Sequence, residues 1–157
     1  SPREVFQCIV NHGSHDLTDE IEPGGVFWGR ARIGYDSGLT ELRDGTEVNV
    51  RRATQSAHYD IPGETRTSHT ELVIAQEAYI LSQCNHPHIE KIIGVTMIDD
   101  RIAIVSPELP SGCRNSWQLL PILDPARRRK MSIQIADAIA YLHSKDIVRT
   151  KSNCLCS

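Results

Sequence analysis

The stretch from residue 68 to residue 84 carries the clearest helix signal in the chain. Ser68 and Glu71 stand three residues apart, a spacing that matches a capping box in which the two residues satisfy each other's free backbone N–H groups. The residues that follow repeat at helical spacing: Val73, Ile74, Glu77, Ile80, Leu81 and Cys84. We therefore predict a helix over about 69–84, with one apolar face into which a carboxylate is set.

Short runs before and after this helix are typical of β-strands. Pro23-Gly24-Gly25 and Arg43-Asp44-Gly45 mark turns, and Asp99-Asp100 reads as a tight hairpin turn. The polar stretch 53–66 is predicted to be a loop. The predicted strands are 17–22, 27–33, 47–51, 92–98 and 101–106. Together with the helix they predict an α+β fold, in which a five-stranded antiparallel sheet packs against one helix.

A second helix is predicted towards the end of the chain. Asp124 is a suitable N-cap and Pro125 a suitable first helical residue. Apolar residues then recur at helical spacing, namely Met131, Ile135, Ile139 and Leu142. The basic run 127–130 lies in the first turns, where the helix dipole mildly disfavours it. Two interpretations of this run are open: a solvated face, or a patch for phosphate or an acidic partner.

Composition limits the classes of protein that remain. The chain has 157 residues, of which 39% are hydrophobic and 24% charged, as in an ordinary soluble domain. A formal charge of -3 gives no reason to expect nucleic acid or a membrane surface as a partner. No apolar run is long enough to span a bilayer. Because the sequence begins at Ser1 without Met, we expect it to be a piece of a longer protein.

The cysteines and histidines give only weak hints of a metal site. Five cysteines without a Cys-x-x-Cys pair favour reduced thiols in the cytoplasm over a disulfide framework. Cys154-x-Cys156 is better explained by ordinary cysteines, and His86-Pro87-His88 by a turn that leads into packed structure.

The motifs and their order resemble a protein-kinase domain of the tyrosine-kinase type. The stretch 76–81, together with 86–89 and 93–95, is similar to a helix and the following strand in the small lobe of tyrosine kinases. Residues 104–106 resemble the last small-lobe strand, and 131–142 resemble the helix before the catalytic loop. The resemblance implies four segments: an N-terminal extension at 1–16, a small lobe at 17–106, a hinge at 107–113 and the truncated start of a large lobe at 114–157.

The resemblance also implies a loop for the phosphates of ATP. Gly24 and Gly29 fit the first and third glycines of the family's G-x-G-x-x-G motif, while Val26 takes the second place and Ala31 follows the loop. Backbone amides approach the phosphates closely there, and a β-branched side chain hinders that approach. A plain turn followed by a strand explains the same glycines without a nucleotide.

The resemblance implies four further positions of the nucleotide site, of which two depart from the family pattern. Asn49 and Arg51 stand where the motif V-A-I-K has Ala and Lys, and Glu77 takes the place of the glutamate that pairs with this lysine. Arginine keeps the charge but does not substitute freely for a compact ammonium group. Arg51 is thus open to two roles: a contact with phosphate or a structural bridge to Glu77. Ser106, at the end of the last small-lobe strand, completes the site.

The catalytic loop departs furthest from the pattern. Residues 141–148 resemble the approach to this loop, but only four residues separate Val148 from Asn153 where H-R-D-L-x-x-x-N needs seven. The missing residues are most simply His-Arg-Asp, whose Asp accepts the proton of the substrate hydroxyl. Asn153 matches the family's magnesium-binding asparagine. No D-F-G or A-P-E motif follows before Ser157.

Two functions are therefore expected, from different classes. The first is a pseudokinase, a scaffold or allosteric module of signal transduction with weak or absent binding of ATP and Mg. The second is a divergent active kinase whose His-Arg-Asp residues are missing from this sequence. Residues within 17–30, 131–136 and 153–154 are also similar to Ryk-type receptors, tyrosine-kinase homologues that respond to Wnt ligands. That resemblance implies the intracellular part of a single-pass receptor, with Wnt-pathway components among its signalling partners.

Overall fold

The computed structural model describes residues 1–29, 35–53, 66–108 and 123–148. The chain forms two compact units, of which the first comprises 1–83 and 91–108 and the second comprises 84–90 and 109–157. Several of the predictions above lie outside these ranges. They are residues 30–33 of the second predicted strand with Ala31, 54–65 of the predicted loop, 109–113 of the predicted hinge, 114–122 of the predicted large lobe, and 149–157 with Asn153, Cys154 and Cys156.

The described part of the first unit contains a five-stranded antiparallel sheet in the order β1-β2-β3-β5-β4. Two turns set the register of its hairpins. Gly45 has a φ of 84° in the turn between β2 and β3, and Asp99 and Asp100 have φ values of 52° and 57° between β4 and β5. The five-stranded antiparallel architecture and both turns confirm the sequence predictions. The strands are β1 (Phe27–Trp28), β2 (Tyr35–Glu41), β3 (Glu47–Ala53), β4 (Gly94–Ile98) and β5 (Arg101–Pro107).

The set of predicted strands needs correction, and β1 ends at Trp28 rather than at residue 33. Residues 17–22 do not form a strand of the sheet but contain a short 3₁₀ turn, Thr18–Glu20. In its place the sheet uses β2, which was not predicted because Asp36-Ser37-Gly38 lacks the alternation of apolar residues that identifies a half-buried strand. Gly38 belongs there for a steric reason. A Cβ at this position would lie 2.7 Å from Cγ1 of Val26 and 3.0 Å from the carbonyl oxygen of Phe27.

Both faces of the sheet carry a buried cluster. One face packs against helix α2 (Arg66–Ser82) and helix α1 (Pro2–Asn11), and its buried cluster consists of Phe6, Ile9, Ala53, Ile74, Ala75, Ala78, Val95, Ile102 and Ile104. The other face carries a second buried cluster: Ile21, Val26, Val48, Val50, Ile98, Ala103 and Val105. Successive residues of β5 alternate between the two clusters, which explains why this strand reads as a continuous apolar run.

Helix α2 begins earlier than predicted, and the predicted capping box is wrong. Because the helix starts at Arg66, Ser68 is its third residue rather than its N-cap. Glu71 is buried and turned towards the sheet. Its carboxylate accepts a hydrogen bond of 2.7 Å from the backbone N–H of Ile102 and lies 3.8 Å from the guanidinium group of Arg101. The Ser-x-x-Glu spacing therefore reflects a carboxylate that anchors the helix to β5.

The described part of the second unit consists of residues 84–90 and helix α3 (Pro125–Ser144). Asp124 caps this helix as predicted, because its carboxylate accepts a hydrogen bond of 2.9 Å from the N–H of Arg127. Of the predicted apolar face, Met131 and Leu142 are buried whereas Ile139 is 41% exposed. Ala138 is also buried, so the inner face is rotated slightly from the predicted one.

Residues 84–90 pack against α3 through polar contacts. The hydroxyl of Tyr141 accepts a hydrogen bond of 2.9 Å from the N–H of Asn85. Nε2 of His86 lies 3.1 Å from the carboxylate of Asp137, while its Nδ1 accepts from the N–H of His88. These bonds give the His86-Pro87-His88 motif a packing role, in agreement with its interpretation as a turn.

We predict that Glu71 makes the first unit less stable as the pH rises. Burial raises the pKa of Glu71 above the ordinary glutamate range, although the Ile102 N–H and Arg101 oppose this shift. Between the ordinary and the raised pKa the folded chain holds a proton that the unfolded chain has lost, so stability falls with rising pH in that window. Urea unfolding of wild type and Glu71→Gln, from about pH 4 to about pH 7, measures this difference.

Asp44→Asn provides a control of opposite sign. Hydrogen bonds from the side chain and backbone of Thr46 lower the pKa of Asp44, so its contribution is lost as the pH falls through the lowered value. The free energy of unfolding of wild type minus that of Glu71→Gln is expected to fall as the pH rises. A value of this difference that stays constant, or that increases with pH, would contradict the prediction.

Candidate functional site

The candidate site is centred on an ion pair between β3 and α2. Nη2 of Arg51 lies 3.0 Å from Oε1 of Glu77, and the two side chains are 15% and 5% exposed. The sequence prediction that these residues face each other across the sheet and the helix is confirmed. Arg51 belongs to the set of alternate β3 residues that point towards α2, and Glu77 lies on the helix face that packs against the sheet.

Tyr35 is a third member of this site, which the sequence analysis missed. Its hydroxyl donates a hydrogen bond of 3.1 Å to Oε2 of Glu77, and the guanidinium carbon of Arg51 lies 5.7 Å from the centre of its ring. Both carboxylate oxygens of Glu77 are therefore bonded. Tyr35 reaches this point because β2 pairs it with Ala53, two residues beyond Arg51 on β3. A prediction of Tyr35 would have required the register of a strand that the sequence did not reveal.

A polar group lies next to the ion pair along the same face of the sheet. Asn49 and Ser106 are direct partners on β3 and β5, and Ser106 is 2% exposed. Oδ1 of Asn49 accepts a hydrogen bond of 2.9 Å from the hydroxyl of Ser37, which is itself the β2 partner of Arg51. The structure thus places Asn49, Arg51 and Ser106 on the sheet face against which Glu77 of α2 packs.

Exposed apolar side chains continue this face towards the edge of the sheet. Leu39 is the β2 partner of Asn49, and Phe27 is the β1 partner of Leu39. Phe27 is 86% exposed and Leu39 is 49% exposed. A row of four residues, Phe27, Leu39, Asn49 and Ser106, therefore crosses the sheet from an open apolar end to a buried polar end.

The predicted glycine loop is only partly near this face. Gly24 lies in a 3₁₀ turn, Pro23–Gly25, that precedes β1. Val26 is buried in the cluster on the opposite face of the sheet from the Arg51–Glu77 pair. Gly29 directly follows β1, and its N–H donates a hydrogen bond of 2.8 Å to the carbonyl of Ser37. Of the three motif positions, Gly29 is the one that pairs with the strand carrying Ser37 and Tyr35.

A cleft of about 990 Å³ lies at the end of the sheet where β2 turns into β3. Phe27 and Leu39 form an apolar wall, but neither Arg51 nor Glu77 lines the cleft. The pKa of Glu47 is raised by the hydrogen bond and the charge of Glu108, a sign of crowded carboxylates. Such crowding repels phosphate groups, so the cleft is unsuited to a nucleoside triphosphate. Its acidic lining residues are Asp19, Glu20, Glu22, Glu41, Glu47 and Glu108.

The described residues contain neither a cluster of metal-ligating side chains nor a helix suited to cross a membrane. In these ranges no three side chains of the types His, Cys, Asp and Glu are grouped so as to hold a metal ion. Likewise, none of the helices in the described part of the chain has the length and apolar character needed to cross a membrane.

Comparison with known proteins points to one family. The family model named protein tyrosine and serine/threonine kinase matches residues 45–156. Tyrosine-protein kinase Dnt of Drosophila melanogaster is 30% identical over 94% of this chain and 26% of its own length. The tyrosine-protein kinase transforming protein Fps of Fujinami sarcoma virus is also 30% identical, over 94% of this chain and 16% of its own length.

A plant protein gives a third similarity. The probable serine/threonine-protein kinase SIS8 of Arabidopsis thaliana is 26% identical over 88% of this chain and 14% of its own length. The chain thus spans between 14% and 26% of the length of these three curated relatives.

We predict that Arg51→Met destabilises the first unit by about 3–5 kcal/mol, because it leaves the carboxylate of Glu77 buried without its cation. The double variant Arg51→Met/Glu77→Gln is expected to recover most of this loss, since the amide needs no counter-charge. Arg43→Met, a change at an exposed arginine in a turn, serves as the control and should have little effect. Urea unfolding measures all four proteins. If the single and double variants lose the same free energy of unfolding, the loss does not come from an unpaired Glu77 carboxylate, and the prediction is wrong.

Proposed function

Because this chain belongs to the protein tyrosine and serine/threonine kinase family, we propose that it is a catalytically impaired member, a pseudokinase module of signal transduction. The observation that carries the proposal is the Arg51–Glu77–Tyr35 site, in which an arginine replaces the lysine of the family motif and is held within the small lobe. In this proposal the site is a structural bridge between sheet and helix. The module acts in signalling by binding other proteins through its surface and not by transferring phosphate.

The geometry around Arg51 supports a structural role. Arg51 is 15% exposed, lies against the ring of Tyr35 and bonds one oxygen of Glu77, while Tyr35 bonds the other. The guanidinium group is planar and its donors have a fixed fork geometry, so it cannot reproduce the compact point charge of a lysine ammonium group. An ordinary family member uses that ammonium group on the α- and β-phosphates.

The neighbouring residues fit Mg-ATP poorly. Asn49, in the place of a small alanine, fills part of the face with an amide that Ser37 holds by a hydrogen bond. Val26, in the place of a loop glycine, is buried on the other face of the sheet. The crowded carboxylates of the nearby cleft add repulsion between the small lobe and an anionic ligand. In active members of the family, bound Mg-ATP supplies the phosphoryl group that is transferred.

The sequence of the catalytic loop supports the same proposal. The four residues between Val148 and Asn153 leave no place for His-Arg-Asp, and therefore none for the Asp that orients the substrate hydroxyl and accepts its proton. Catalysis of phosphoryl transfer consists mainly of positioning and charge stabilisation. A chain without this carboxylate keeps the fold but loses the group that aligns the nucleophile.

One observation favours a second candidate function, that of a divergent active kinase. The Arg51–Glu77 pair preserves the contact between strand and helix that the family's lysine and glutamate make. In this alternative His-Arg-Asp is missing only from the sequence at hand. The transcript between the codons of Val148 and Arg149 separates the two candidates, because intact codons for His-Arg-Asp at that point would favour the active kinase.

The cellular setting belongs to the proposal as well. We place the module in the cytoplasm, where unidentified signalling proteins are its partners. Its similarity to Ryk-type receptors adds Wnt-pathway components to the candidates and favours the intracellular part of a single-pass receptor. Co-purification of tagged chain with proteins from cells that do and do not respond to Wnt ligands would test this part separately from the chemistry.

We predict that the chain does not transfer phosphate from ATP to protein above background. Loss of the residue that aligns the nucleophile costs several powers of ten in rate. The measurement is incorporation of label from radioactive ATP into a generic tyrosine peptide with Mg or Mn, with an active tyrosine kinase as the positive control. Incorporation that disappears in Arg51→Ala would contradict the prediction and establish a working enzyme.

We predict little or no rise in melting temperature on addition of millimolar Mg-ATP. A ligand that binds only the folded state raises this temperature according to its concentration relative to its dissociation constant. Mg-ATP is compared with matched sodium sulfate to separate binding from a general salt effect. If a clear rise occurs that is lost in Arg51→Ala, the chain is a nucleotide-sensing pseudokinase, and the interpretation of Arg51 as a purely structural residue is wrong.

A further inference from the structure

The first 17 residues are attached to the small lobe at two separate places. The first attachment is apolar and is made by helix α1. Phe6 and Ile9 are 7% and 5% exposed and belong to the same buried cluster as Ile74 and Ala78 of α2. The predicted N-terminal extension, residues 1–16, thus contributes two of the core residues on the α2 side of the sheet.

The second attachment is made by backbone hydrogen bonds at the free edge of the sheet. The N–H of Val95 donates to the carbonyl of His15, and the N–H of Leu17 donates to the carbonyl of Val95, each at 2.8 Å. Asp16 thereby forms a parallel bridge with Val95 on β4, the last strand of the sheet. Gly94 permits this close approach, because a Cβ at that position would collide with the carbonyl oxygen of His15.

Helix α2 is held on the sheet by apolar and polar contacts, and α1 adds to the apolar ones. Its polar attachments to the sheet include two buried carboxylates, Glu71 on the N–H of Ile102 and Glu77 on Arg51. Such buried charges fix the alignment of the helix but contribute little net stability, since removing them from water opposes the attraction. Apolar burial is strongly favourable but not directional. Phe6 and Ile9 supply apolar burial beside α2, on the same face of the sheet.

We propose that residues 1–17 form a strap that positions α2, so that Glu77 meets Arg51. Phe6 and Ile9 are positioning residues in this arrangement, and the bridge from residues 15–17 to β4 anchors the strap to the sheet. The strap decides whether the strand and helix parts of the site are aligned. The proposal goes beyond the proposed function, because it holds whether or not the chain binds a nucleotide.

Hydrogen exchange of the whole chain tests the strap. In Phe6→Ala the amides of α2 between residues 74 and 80 are expected to exchange about tenfold faster or more, because the helix opens locally. The amides of β3 and β5 should change much less. Ile9→Val is a milder variant that stays folded if Phe6→Ala does not. Ile9→Leu, a larger side chain than Val, should keep the exchange of the α2 amides close to the wild-type rate. Gln7→Ala, on the exposed side of α1, is the matched control.

A second pair of variants tests the anchor at β4 without touching α1 or α2. Gly94→Ala displaces the carbonyl of His15 and is expected to speed the exchange of the same α2 amides. Gly24→Ala is its control, because a Cβ at Gly24 meets no atom within 4 Å.

A third measurement links the strap to the ion pair. Once α2 has loosened, Arg51→Met should destabilise the Phe6→Ala background less than it destabilises wild type, since residues that act together are not additive. The proposal is wrong if α2 exchange stays at the wild-type rate in Phe6→Ala, Ile9→Val and Gly94→Ala. It is also wrong if β3, β5 and α2 speed up by the same factor, since that result would mean that α1 only adds stability to the whole unit.

Discussion

A carboxylate buried between a helix and a sheet must find a partner there, and α2 carries two of them. Glu77 bonds Arg51 and Tyr35, and Glu71 bonds the backbone of Ile102. The two glutamates lie six residues apart on the inner face of the helix, so together they fix both its rotation and its position along the sheet. The candidate site is therefore a direct consequence of how α2 is attached to the strands.

The sheet can provide these partners because each of its faces carries a buried cluster. Alternate residues of β5 enter two different clusters, one against the helices and one beneath the turns that precede β1. Asp99 and Asp100, both with positive φ, connect β4 to β5 through the tight turn that sets their register. With the register fixed, Ser106 lies opposite Asn49 and Ile104 lies opposite Arg51. The polar residues of the site thus share one face for reasons of strand pairing alone.

The same geometry explains why fold and chemistry can separate in this chain. The strand and helix contact that an active kinase uses to orient its lysine is present here with an arginine, so the small lobe retains the helix position of the family. Phosphoryl transfer requires more than that position, namely a compact cation and a close backbone approach for the phosphates, and a catalytic-loop carboxylate for the substrate hydroxyl. Those requirements depend on individual residues, whereas the contact between α2 and the sheet depends mainly on burial. The proposed loss of activity with retention of fold follows from this difference.

Local signals in the sequence were sufficient for much of the architecture. The Asp99-Asp100 turn, the cap at Asp124 and the presence of both long helices were correctly predicted, because each depends on residues close together in the chain. The facing of Arg51 and Glu77 came from the family resemblance. Only the tertiary structure decided that Glu71 anchors a helix instead of capping it, that Tyr35 completes the site and that residues 1–17 belong to the core. Each of these depends on strand register or on contacts between distant segments, for which no local pattern of residues is specific.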